Sequence, residues 1–123
     1  MQHQLLTEKI IGCAMEVHTN LGPGLLESIY EAALMHEFRE RNILFENQKI
    51  VEVIYKGVPI GQYRLDFVVE NKVIVEIKAV NRLEPVFSAQ LLTYMKITGL
   101  EVGLLINFHE LSLRNGIKRM MTK

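Results

Sequence analysis

The chain has 123 residues, 49% of them hydrophobic, with no Trp and with 14 basic residues against 14 acidic ones. That length predicts one compact domain over residues 1–123 with a real core, and zero net charge excludes a protein that coats nucleic acid by bulk charge, leaving a local basic patch as the alternative. The single cysteine, Cys13, excludes an intramolecular disulfide and fits a reducing compartment. With no signal-peptide pattern and no apolar run of about 18 residues, the expectation is a cytoplasmic protein without membrane association.

In chain order, the first helix is expected from Thr7, as N-cap, to Leu21, with Ile10, Ile11, Ala14, Met15 and Val17 or His18 as its apolar stripe. Cys13 falls in this context and reads as a small core residue rather than a nucleophile. Gly22-Pro23-Gly24 stops the helix. A second helix runs from Leu25 to Arg41, with Ile29, Ala32, Ala33, Met35 and Phe38 inward and Glu31, Glu37, Arg39 and Glu40 in solvent. From Leu44 the period moves toward two. Ile50 to Tyr55 reads as a strand, Lys56-Gly57 as a turn, and a strand from Val58 runs on through Val69. After a turn at Asn71 comes the strand Val73 to Ala79. Pro85 suits the first turn of a third helix ending near Thr98-Gly99. The strand Val102 to Phe108 follows that helix, which predicts a β-α-β crossover to a parallel position. The tail from Leu111 carries Arg114, Lys118, Arg119 and Lys123 and reads as an edge strand or a fraying end. The order α-α-β-β-β-α-β predicts an α/β fold, a mixed sheet flanked by helices.

The chemistry concentrates between Arg64 and Lys78. Asp66, the only aspartate, stands in an apolar strand, and Glu76 and Lys78 stand in a Val/Ile run. Strands disfavour these residues, and buried charges are costly unless paired or bound to a metal. Glu76 and Lys78 share a face. If the hairpin loop is Glu70 to Lys72, Val69 pairs with Val73 and Asp66 falls opposite Glu76. Cβ atoms there are roughly 4.5–5.5 Å apart, where like charges repel. A divalent cation between the carboxylates would convert that repulsion into binding. The other reading is an exposed hairpin face on which Arg64 or Lys78 forms a surface ion pair.

Asp66 followed by Glu76-Ile77-Lys78 resembles the D…ExK core of the PD-(D/E)XK nuclease superfamily. Gly24-Leu-Leu-Glu27-Ser-Ile-Tyr30 resembles the GxxExxY signature of a small family in that superfamily. The resemblance runs from about Ile10 to the C-terminus and implies a restriction-endonuclease-like core. It also implies a metal-dependent nuclease acting on nucleic acid, DNA foremost, with Mg²⁺ or Mn²⁺ as cofactor. Asp66, Glu76, the Ile77 carbonyl and Glu27 would be metal ligands. Lys78 would orient or activate the attacking water beside them. Gln90 and Tyr94, four apart on the third helix, resemble a QxxxY element that flanks the site in one branch of the superfamily. Tyr30 would pack or touch phosphate. Read without the resemblance, Glu27 serves the helix dipole, Tyr30 is core, and Gln90 and Tyr94 form a polar helix edge.

Other chemistries find no pattern. His3, His18, His36 and His109 lack zinc-ligand spacing. Gly22-Pro23-Gly24 is too short for a dinucleotide loop, and Ser28 and Ser88 have no nucleophile elbow around them. The alternative function is a weakly active or inactive nuclease-fold module for binding or assembly. That alternative allows a homodimer, in which two small subunits together would grip a duplex.

Overall fold

A computed structural model describes residues 2–122. Helix α1 spans Gln4–Leu21 and α2 spans Glu27–Glu40. Strands β1 (Phe45–Tyr55), β2 (Val58–Val69) and β3 (Val73–Lys78) follow, then α3 (Pro85–Thr98), β4 (Val102–Asn107), a 3-10 turn at Leu113–Gly116 and β5 (Ile117–Met121). The strands form one sheet in the order β1-β2-β3-β4-β5. The first three pair antiparallel, β3 and β4 pair parallel across α3, and β5 returns antiparallel on β4. This is the α/β fold with a mixed sheet expected above, with the tail supplying the edge strand. Lys123, the last basic residue of that tail, lies outside the described residues. Among the described residues, no helix is long and apolar enough to cross a membrane.

The sheet separates two cores. On one face, α1 and α2 pack Ile10, Cys13, Val17, Tyr30, Leu34 and Phe38 against Phe67, Val75, Ile77 and Leu104. On the other, α3 packs Leu91, Tyr94 and Met95 against Leu65, Ile74 and Leu105. The alternation of β3 follows directly: Val73, Val75 and Ile77 belong to the first core and Ile74 to the second, so Glu76 and Lys78 stand on the α3 face. Cys13 is fully buried, and burial raises its thiol pKa, as expected for a core residue.

Three local expectations are corrected. Thr7 lies inside α1, where its hydroxyl donates to the Gln4 carbonyl at 3.0 Å and accepts from the Arg119 guanidinium. A threonine bonded this way sits within a helix rather than before it. The inward face of α2 is Tyr30, Leu34 and Phe38, whereas Ile29 and Ala32 are exposed. Its rotation follows the rings: Tyr30 stacks on Phe108 with centroids 4.7 Å apart, and Phe38 meets Phe67 edge-on at 5.4 Å. Finally, β1 begins at Phe45 rather than Ile50, through the polar run Glu46-Asn47-Gln48.

Turn chemistry fixes the register at the centre. Glu70 and Asn71 both take left-handed φ, 54° and 56°, and Lys72 N–H donates to the Val69 carbonyl. Val69 therefore pairs with Val73 and Phe67 with Val75, as the expected loop requires.

Gly22 and Gly24 have φ of 71° and 98°, a conformation that favours glycine. The Tyr30 hydroxyl holds this loop, donating to the Gly22 carbonyl at 2.6 Å and accepting from Leu25 N–H at 3.0 Å. Tyr30→Phe keeps the ring and removes both bonds. It is expected to cost about 1–3 kcal/mol, read as a lower denaturant midpoint with unchanged far-ultraviolet circular dichroism.

Candidate active site

The antiparallel ladder between β2 and β3 runs from Val69↔Val73 to Phe67↔Val75. One step further, where Asp66 and Glu76 face each other, side chains replace the ladder. Asp66 N–H donates to Glu76 Oε2 at 2.8 Å, and Ile77 N–H donates to Asp66 Oδ2 at 2.9 Å. Each carboxylate thus fills a backbone bond lost as the strands separate, and the two acids interlock in the gap. Lys78 N–H and C=O face β4, since its carbonyl accepts from Phe108. The groups of Ile77 alternate with them, so the Ile77 carbonyl opens on the Asp66 side together with its N–H.

The acids are poorly solvated. Glu76 is 6% exposed. Burial, then the neighbouring Asp66, raise its pKa from an ordinary 4.5 to about 8. Asp66 is raised as well, first by burial; the Ile77 N–H acts against this and the Glu31 carboxylate adds to it. Glu27, at the exposed start of α2, is raised by partial burial and then by Asp66, with Lys78 and the Ala79 N–H opposing. Glu27, Asp66 and Glu76 therefore sense one another, as an acidic site requires.

Lys78 lowers the pKa of all three acids, so it stands beside them. Yet the ion pairs among the described residues do not include Lys78, Arg64, Asp66 or Glu76. The surface ion-pair reading of the hairpin thus has no partner here. The Lys78 ammonium lies 4.7 Å from the centre of the Phe87 ring, a cation–π contact that keeps it near the acids without tying it to one of them.

Gln90 and Tyr94 come to the same region from α3. The Tyr94 phenol has its pKa raised by burial and then by Glu76, Tyr63 and Asp66, with the nearby Gln90 amide opposing the rise. Tyr94 also packs on Tyr63 of β2 at 5.6 Å, and the two tyrosines, with Gln90 and Val86, line a groove of about 300 Å³. Tyr30 is apart from this group. It is fully buried with its hydroxyl occupied by the Gly22–Leu25 loop, so it packs and offers nothing to phosphate.

Sequence reasoning missed Glu31, read as solvated, although it follows Glu27 by four residues and so shares its helix face. Glu31 Oε2 accepts from Asn47 Nδ2 and from Gln48 Nε2, each at 2.7 Å. Asn107 was also missed. It is buried, and its amide binds both backbone groups of Val80, pinning the chain just beyond Lys78. A polar residue closing an apolar strand was its only signal.

The family model of the PD-(D/E)XK nuclease superfamily matches residues 4–120. The chain belongs to the PD-(D/E)XK nuclease superfamily. No curated protein and no solved structure matches it. The mixed five-stranded sheet flanked by helices agrees with the restriction-endonuclease-like fold of PD-(D/E)XK proteins. Membership implies nuclease chemistry on nucleic acid, and PD-(D/E)XK nucleases generally use divalent metals.

Among the described residues, no three His, Cys, Asp or Glu side chains are gathered closely enough to enclose an ion. The donor set still suits a hard cation. Mg²⁺ is ordinarily held by one or two carboxylates, with waters and substrate phosphate completing its shell. Asp66 and Glu76 each keep an oxygen outside the bonds that lock them to the backbone. All the donors are oxygens, which favours Mg²⁺ or Mn²⁺ over zinc.

Glu76 holds its proton more tightly folded than unfolded, so its contribution to stability is fullest below pH 4.5 and is lost as the pH rises through about 8. In EDTA, Glu76→Gln is expected to match the wild type near pH 4. Above pH 8 it should be the more stable protein, by on the order of 3 kcal/mol. Melting curves across that range check both the sign and the window.

Proposed function

We propose that this chain is a metal-dependent nuclease that hydrolyses phosphodiester bonds, with DNA as its substrate and Mg²⁺ or Mn²⁺ as its cofactor. The observation that carries this reading is the pair of interlocked carboxylates, Glu76 buried and Asp66 half-buried beside it, with no ion-pair partner among the described residues. Two acids in that position repel each other unless a proton or a cation intervenes. Asp66 and Glu76 would hold the ion, with the Ile77 carbonyl beside them and Glu27 approaching from α2. Bound there, the ion would polarise the phosphodiester and make an attacking water more acidic.

The chain's own residues do the rest. Lys78 presents an ammonium in no ion pair among the described residues, placed to orient the water and to offset charge on the phosphate. Gln90 and Tyr94 line the approach from α3 and would contact substrate. The Gly24–Tyr30 segment supports a place in the GxxExxY family, and we take residues 1–123 as one domain of a cytoplasmic protein.

A second reading, a module for binding or assembly, is favoured by the hairpin of β1 and β2. Its outer half carries Ile50, Ile54, Tyr55, Val58, Ile60 and Tyr63, all exposed, and it extends past the last pair of β2 with β3. A homodimer would cover this surface. Stabilisation by Mn²⁺ without cleavage of any DNA or RNA offered would select this reading.

Cleavage of plasmid and oligonucleotide DNA with Mg²⁺ or Mn²⁺ tests the first reading, and the same assay on RNA decides the substrate. Asp66→Ala and Lys78→Ala are each expected to lower the rate on the order of 10²–10⁴-fold. Cleavage that survives both substitutions would assign the activity to a contaminant.

A further inference from the structure

The rung of the sheet that carries Asp66 is irregular on both strands. In β2, Leu65 belongs to the core under α3, while Phe67 belongs to the core under α1 and α2. Residues two apart on a regular strand share a face, so β2 changes faces between them. β1 does the same: Phe45 packs on the first core and Val51 on the second. The neighbouring pairs are Asn47↔Phe67 and Lys49↔Leu65, which places Gln48 opposite Asp66. Gln48 has a φ of 55°, the left-handed region, in the interior of a strand. That conformation is disfavoured for a residue with a Cβ, and strain of this kind is kept where the surroundings require it.

The local consequence is specific. On a regular strand, Asn47 and Gln48 would point to opposite faces. Here both amides donate to the same oxygen, Glu31 Oε2, each at 2.7 Å. Both also reach Asp66. Asn47 Nδ2 donates to its backbone carbonyl at 2.9 Å, and Gln48 Nε2 lies 3.4 Å from Oδ1. Oδ1 is the oxygen that Ile77 N–H leaves free. The donors are neutral amides, so they orient the acids and leave the negative charge at the site in place.

We propose that Gln48 is a positioning residue: its left-handed backbone brings two amides onto Glu31 and Asp66 and fixes Asp66 Oδ1 toward the cation. This rests on the reading of Asp66 and Glu76 as metal ligands. Hydrogen bonds to a ligating carboxylate typically change metal affinity about 10–100-fold when removed.

The test is Mn²⁺ titration followed by electron paramagnetic resonance of the free ion, beside melting in EDTA. Gln48→Gly accepts the left-handed backbone and removes the amide. It is expected to melt at or above the wild-type temperature while binding Mn²⁺ about 10–100-fold more weakly. Gln48→Asn also tolerates this backbone and carries an amide one methylene short, so it should show the same loss and covers the case in which the glycine variant misfolds. Wild-type Mn²⁺ affinity in a folded variant would overturn the role of Gln48 and leave the ligand reading intact. A wild-type protein that binds no Mn²⁺ would overturn the ligand reading, and this proposal with it.

Discussion

Everything in this molecule depends on the place where β2 and β3 stop pairing and two carboxylates take over. A sheet that splays leaves backbone N–H groups without partners, and leaving them buried is costly. Asp66 and Glu76 supply the missing acceptors, each to the opposite strand. The exchange holds both carboxylates against the backbone of the opposite strand. It also forces two acids into a poorly solvated gap, which accounts for the raised pKa values of both. Position and repulsion therefore have one cause.

The charges of the protein sum to zero, but they are not evenly mixed. Glu27, Glu31, Asp66 and Glu76 converge on one end of the sheet, and the Lys78 ammonium acts to lower the pKa of Glu27, Asp66 and Glu76. A phosphodiester brought to such a surface meets repulsion first. On the proposed nuclease reading, hydrolysis there would need added positive charge, which a bound cation would supply. The contact of Lys78 with Phe87 fits the same logic. A lysine paired to Glu76 would cancel that carboxylate's charge, whereas one resting on a ring leaves it in place.

How much of this was legible in the sequence follows from how local each signal is. Asp66, Glu76 and Lys78 stood out because charge in an apolar strand violates a strong preference. Their register could be read because the Glu70–Lys72 loop is short. The parallel β4 followed from the helix before it. The start of β1 was hidden because Glu46-Asn47-Gln48 has no apolar alternation and because Gln48 breaks the strand geometry. Glu31 looked solvated because its partners are 16 and 17 residues away on another element. The faces of α2 were misjudged because Ile29 and Ala32 are apolar, while the rotation is decided by ring contacts with Phe108 and Phe67. Phe87 and Asn107 act through tertiary contacts that spacing does not announce.

The site also lies where the two cores meet, and this explains why its parts come from so many elements. Glu27 and Glu31 arrive from α2, above one face of the sheet. Glu76, Lys78, Gln90 and Tyr94 belong to the other face, with α3. Asp66 stands between them, on the rung where β1 and β2 both change sides. Had the alternation continued, Phe67 would face α3 with Leu65, and Phe38 and Phe45 would lose the ring that both pack against beneath α2. The change of face therefore serves packing on both sides of the sheet, and the acidic gap forms at the point where that change occurs. Stability in both cores and the convergence of the acids rest on the same irregular rung. A substitution that restored regular strand geometry there would disturb both.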